Sequence, residues 1–162
     1  MPVPESIAVA AENFRRNTHF VKKNIEGLSE EEWVRRPGGS GNHVLWIVGH
    51  VALSRCIVLS RLGDDWSKPW LSLFGRGLPC DDSVAYPTPE EATQAWNEST
   101  AHLKAAMESA SEELLATPAT EGPPSADGKV SGVVNFMAYH ETYHVGQLAY
   151  VRSLLGHPGA MG

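Results

Sequence analysis

Apolar residues recur every three or four positions along four long stretches of this chain and nowhere alternate strictly, so the pattern predicts helices and no strands. In the first stretch, about Glu5 to Glu26, one face carries Ile7, Ala11, Phe14, Thr18, Val21 and Ile25 and runs on to Leu28, the stripe of a bundle helix. Ser29-Glu30-Glu31-Glu32 then has the form of a capping box and predicts a short turn ending at Pro37-Gly38-Gly39. A second long helix follows from about Asn42 to Leu62, with Asn42 or Ser40 as its N-cap and Gly63 as its stop. One of its faces holds Trp46, His50, Leu53 and Ile57.

Residues 63–87 form a connection of about 25 residues, long for a compact domain. Within it, Ser67 to Gly75 reads as a short helix, with a cap, an early Pro and a terminating Gly. Trp66, Trp70 and Phe74 recur there at a spacing of four; local packing that pins the crossover is the favoured reading, an aromatic lid over a ligand the other. Thr88-Pro89-Glu90-Glu91 opens the third helix with a Thr N-cap, Pro at the first position and Glu at the third. Its stripe of Ala92, Trp96, Ser99, Leu103, Ala106 and Ala110 carries it to about Leu115. After a Pro/Gly-rich loop, a fourth helix spans about Ser131 to Leu155 and stops at Gly156 and Pro158. Val133, Met137, His140, His144, Leu148, Val151 and Leu155 form its inner stripe.

Four long amphipathic helices make an all-α four-helix bundle, and 162 residues make it one domain over 1–162. A crossover of that length spans a bundle at up to ~3.3 Å per residue. Helices two and three are therefore expected parallel, in an up-down-down-up order.

The net charge of −6 with no cluster of Lys or Arg argues against nucleic acid as a partner. No apolar run is read as a membrane span, and the start lacks the basic and apolar regions of a secretion signal, so a cytoplasmic location without membrane contact is expected. Cys56 and Cys80 share no metal or redox spacing; Cys56 is expected as a buried apolar residue. His19 and His102 fall off the stripes and are expected to face solvent.

The chemistry concentrates in His140-Glu141-Thr142-Tyr143-His144. Residues four apart on a helix share a face one turn apart, so both imidazoles reach one divalent cation without bending the backbone. The spelling H-E-x-x-H belongs to zinc proteases, where Glu is the general base. Here the metzincin continuation fails at Gln147 and Tyr150, and no acidic residue follows His144. A third ligand must come from upstream. His50, on an apolar face, is the candidate: three histidines on buried stripes are satisfied together if they share a cation, a reading favoured over three separate core histidines.

The chain resembles the DinB-like superfamily of bacterial metal-binding four-helix bundles. The likeness lies in Gly41-Asn42-His43-Val44-Leu45-Trp46-Ile47-Val48-Gly49-His50, the long aromatic connection, the Tyr86-Pro87-Thr88-Pro89-Glu90-Glu91 helix start, and His140-Glu141-Thr142-Tyr143-His144-Val145-Gly146-Gln147-Leu148. It implies His50, His140 and His144 as ligands of zinc or nickel with open coordination positions, parallel middle helices and a homodimer.

Three neutral nitrogen ligands leave a dipositive, open ion, which lowers the pKa of bound water or deprotonates a bound thiol. Two chemistries on a small-molecule substrate follow. One is transfer or isomerisation of a low-molecular-weight thiol, as the resemblance implies for some members, and it is slightly favoured. The other is metal-dependent hydrolysis, with Glu141 a candidate proton acceptor, though a solvent-facing or supporting carboxylate is the plainer reading. A non-catalytic, metal-dependent stress or binding protein is the third reading. Trp46 and Tyr143 are candidates to wall the pocket, with core packing an equal reading, and Gln147 to orient His144 or to hydrogen-bond between helices.

Overall fold

The computed structural model describes residues 2–160, and among them the chain is helical, with a single isolated antiparallel bridge between Pro118 and Lys129 and no strand. The first predicted helix begins with a tight 3-10 turn at Glu5–Ile7 and continues as α1 (Ala8–Ile25). Its stripe faces inward as expected at Ile7, Phe14 and Val21, and the same face also buries Asn17 and Asn24. The short helix α2 (Glu30–Val34) carries the predicted capping box, Ser29 accepting from the Glu32 amide while the Glu32 carboxylate accepts from the Ser29 amide.

α3 (Val44–Arg61) begins two residues later than expected, and its cap is neither Asn42 nor Ser40. His43 Nδ1 accepts the Trp46 amide at 3.0 Å, so an imidazole nitrogen does what a hydroxyl or amide oxygen usually does at this position. At the other end Gly63 takes φ 84°, and the Asp64 amide turns back to Leu59 O at 2.9 Å, the left-handed stop that glycine permits.

α3 buries almost its whole circumference, which corrects the expectation of a single stripe: Leu53 and Ile57 are half-buried, whereas Val51, Ala52, Ser54, Arg55, Val58 and Leu59 are buried. It also corrects the expectation that no segment matches a membrane span. α3 is 18 residues long with a mean hydropathy of 1.5, and 72% of it lies inside the fold, which accounts for that composition. It is the central helix, packed on α2, on the crossover, on α4 (Pro89–Ser109) and on α6 (Val130–Leu154).

Within the crossover the expected short helix is a 3-10 helix, Pro69–Phe74. Phe74 is fully buried on α3, and the fit depends on Gly49: a Cβ there would meet the Phe74 ring at 2.6 Å. The aromatic residues of this segment therefore pack, as the favoured reading held. Trp70 meets Phe74 edge-on, and Trp66 donates its indole N–H to Glu98 on α4.

α4 opens with the predicted box of Thr88 and Glu91 but ends at Ser109, not near Leu115. Ala110 is extended, and Ser111 caps a separate turn, α5 (Glu112–Leu115), by accepting the Leu114 amide. A Ser followed by two Glu is itself a start signal, and it competes with continuation of the helix. The break lets Leu115 enter the core, where it is fully buried.

α6 has nearly its predicted span but buries a wider face than one stripe, adding Val134, Ala138, Glu141, Val145 and Arg152. Its register against α1 is fixed by polar pairs: Asn17 donates to Thr142 Oγ1 at 3.1 Å, and Arg152 donates to Asn24 O at 3.0 Å and Glu26 O at 2.8 Å. Cys56 is half-buried and Cys80 buried, both free thiols whose pKa burial raises. His19 and His102 are exposed, as expected, His102 pairing with Asp64 at 2.7 Å.

Candidate metal centre

α3 and α6 bring the three histidines together. His50 sits two turns into α3; His140 and His144 occupy successive turns near the middle of α6. One ring nitrogen from each lies within 4.8 Å of the others, and the ring centroids are 4.5–5.3 Å apart. His50 and His144 are buried, and His140 is half-buried at the edge.

The far side of two rings fixes which nitrogen faces inward. His50 Nδ1 lies 2.7 Å from Phe74 O; a carbonyl only accepts, so Nδ1 carries the proton and Nε2 presents a bare lone pair. His144 Nδ1 is 2.7 Å from Gln147 Oε1, and Gln147 Nε2 donates to Tyr143 Oη at 3.2 Å, which orients the amide and leaves His144 Nε2 bare as well. Gln147 thus bonds His144 within α6, not a neighbouring helix. The holder of His50, a backbone carbonyl in the crossover, carries no sequence signature. His140 Nδ1 is buried without a partner among the described residues.

The donor set fits a divalent ion. At Zn–N bonds of about 2.0–2.1 Å and angles from about 90° to the tetrahedral value, two ligand nitrogens on one ion stand roughly 2.8–3.4 Å apart, and His144 Nε2 and His140 Nε2 are 3.1 Å apart. The rings are also held neutral, as ligands must be. Burial, then His50 and His140 nearby, push His144 down to about 4. Burial lowers His50 too, and His140 is lowered by burial, by His50 and by the exposed Arg76.

Trp46 is buried and stacks on His50 at 4.9 Å with 10° between planes, so it backs one ring of the cluster and is part of the core at once. Tyr143 is exposed and meets His144 edge-on at 5.1 Å, at the mouth of the cluster.

Glu141 is where the structure departs most from expectation. It is neither solvent-facing nor turned toward the histidines: only 1% of its side chain is exposed, and both its oxygens are held by Arg55 of α3, Nε at 2.7 Å and Nη2 at 2.9 Å. The 100° step from His140 carries it onto the face packed against α3. Arg55 completes the arrangement through Nη1 to Thr100 and Nη2 to Thr18, with its guanidinium 3.6 Å over the Trp96 ring. Sequence reading missed Arg55, although one cation within the run Val51-Ala52-Leu53-Ser54-Arg55-Cys56-Ile57-Val58 signals a buried partner.

A sequence model of the DinB superfamily matches residues 13–148, and no curated protein matches the chain. The match covers most of the sequence and every residue of the histidine cluster, so the chain belongs to that superfamily.

Proposed function

We propose that this member of the DinB superfamily binds one divalent ion, zinc or nickel, through His50, His140 and His144 and uses it in the transfer of a low-molecular-weight thiol. Such an ion supplies Lewis acidity strong enough to keep a bound thiol deprotonated at neutral pH. The protein's own residues do the rest. The Phe74 carbonyl and Gln147 hold two rings in the tautomer that points Nε2 inward, Trp46 shields His50 from water, and Tyr143 lines the way in. Imidazole ligands suit either metal, and three neutral ones leave its charge uncompensated.

One observation favours thiol chemistry over hydrolysis: Glu141, the residue that the H-E-x-x-H spelling offers as a base, has both oxygens committed to Arg55. A positioned general base speeds hydrolysis, and Glu141 is not free to act as one, whereas deprotonation of a bound thiol rests on the ion alone.

The up-down-down-up order belongs to the same reading. It is supported by the register of α6 on α1, where Asn17 faces Thr142 and Asn24 faces Arg152, so that residue numbers rise together. The homodimer does too, with the exposed Tyr139, Tyr143, Tyr150 and Leu154 of α6 as its surface beside the metal centre.

The test is metal content per chain in the parent, His50→Ala and His144→Ala proteins, followed by a screen of the metal-loaded parent for conjugation of small thiols to electrophiles and for ester hydrolysis. About one ion per parent chain, lost in both variants, with thiol conjugation lost alongside, is expected. Hydrolysis without thiol conjugation would overturn the assignment of the reaction, and no ion in the parent would overturn the site.

A further inference from the structure

Away from the histidines, a groove of about 390 Å³ opens between α1 and α4, within the size range of small-molecule sites. Its walls are apolar, with Ala11 and Phe14 on one side and Leu103 and Met107 on the other. Its polar part is Arg55 together with the two threonines it binds, Thr18 and Thr100.

Arg55 is 1% exposed, and a guanidinium has five N–H hydrogens. Four are used: Nε and one of Nη2 on Glu141, the second of Nη2 on Thr18, one of Nη1 on Thr100. The second Nη1 hydrogen has no acceptor among the described residues. A buried charged donor left short of a partner, on a residue that lines an apolar groove, marks where a ligand acceptor belongs.

Charge then selects the ligand. Glu141 already neutralises Arg55, and at the mouth Glu12 is shared by Arg15 and Arg16 while Glu108 faces Lys104. A carboxylate head would bring an uncompensated negative charge into a buried setting; a carbonyl brings only an acceptor.

We propose that the groove binds a small uncharged amphiphile, an apolar body ending in a carbonyl group that accepts the remaining Nη1 hydrogen of Arg55. At roughly 30 Å³ of liquid volume per heavy atom, as in water, the space suits about ten to thirteen non-hydrogen atoms.

Octanamide and octanoate are the probes, titrated calorimetrically at pH 7 into the full-length protein, with amide chemical-shift mapping to locate them. Octanamide is expected to bind one site on α1 and α4, at least tenfold more tightly than octanoate. Ala11→Trp fills the groove from a half-buried position and is expected to abolish binding, while Ala101→Trp, on an exposed part of α4 that does not line the groove, leaves it unchanged. The pair Arg55→Leu/Glu141→Leu keeps the interior free of unpaired charge and is expected to weaken octanamide about tenfold. His50→Ala, which disables the metal centre, is expected to bind octanamide like the parent, so failure of the metal reading and failure of this one are distinguishable. Octanoate binding as tightly as octanamide would overturn the charge argument. No octanamide binding, or binding indifferent to Ala11→Trp, would overturn the site.

Discussion

Glu141→Gln separates two meanings of the H-E-x-x-H spelling. If Glu141 were a general base, the amide would remove catalysis and leave folding alone. In this structure it leaves Arg55 buried with no counter-charge. A glutamine oxygen replaces one of the two acceptors now at 2.7 and 2.9 Å, and its NH₂ group points at an Arg55 N–H, donor against donor. Breaking a buried ion pair from one side costs about 3–5 kcal/mol. At about 2–4 °C per kcal/mol for a domain of this size, Tm falls by roughly 6–20 °C. Urea midpoints give the same quantity independently. Metal content stays at the parent level, since no ligand or ligand-orienting group is touched. The double variant Arg55→Leu/Glu141→Leu recovers most of the loss, because apolar residues of similar volume need no partner. A Glu141→Gln protein as stable as the parent, or a double variant worse than the single, would refute the structural role assigned to the pair.

Gly49→Ala is expected to displace the Phe74 ring, cost about 1–3 kcal/mol as an overpacked core, and loosen the carbonyl that holds His50, weakening metal about 10–100-fold in a chelator competition. Phe74 is then the sensor, and an undiminished metal affinity would show that its carbonyl does not orient the ligand. His43 caps α3 as a neutral acceptor, and burial lowers its pKa below that of the unfolded chain. The unfolded state therefore takes up the proton first as pH falls below about 6.5, so this group's share of stability is intact above that pH and is lost below it. His43→Asn keeps a capping acceptor without the titration, and its drop in urea midpoint between pH 7.5 and 5 is expected to be smaller than the parent's. Tyr150→Glu, at an exposed position on α6, is expected to halve the sedimenting mass without lowering Tm by more than a few degrees; an unchanged mass would reject the dimer surface.

Much of the fold was legible because its signals are local. The capping boxes at Ser29 and Thr88, the stop at Gly63 and the three-and-four periodicity each act within a turn or two of helix, and each appears where the pattern put it. Errors came where two local signals competed or where neighbours mattered. Ser111 restarts a helix that the apolar stripe would have continued, and His43 takes the cap that Asn42 and Ser40 were better suited to by residue type. α3 reads as amphipathic only until its neighbours are known, since packing on several sides buries both of its faces.

The three histidines show the same division. By itself the sequence determined that His140 and His144 share a helical face, because a spacing of four residues fixes that geometry whatever surrounds it, and it marked His50 as a polar residue that an apolar face must satisfy. Only the tertiary structure decided what each group next to them does. The Phe74 carbonyl reaches His50 across 24 residues, and Arg55 reaches Glu141 across 86. Contacts between distant segments depend on how helices are juxtaposed, which no local pattern encodes. For that reason Glu141, part of a catalytic spelling in one dimension, is in three dimensions one half of a buried ion pair.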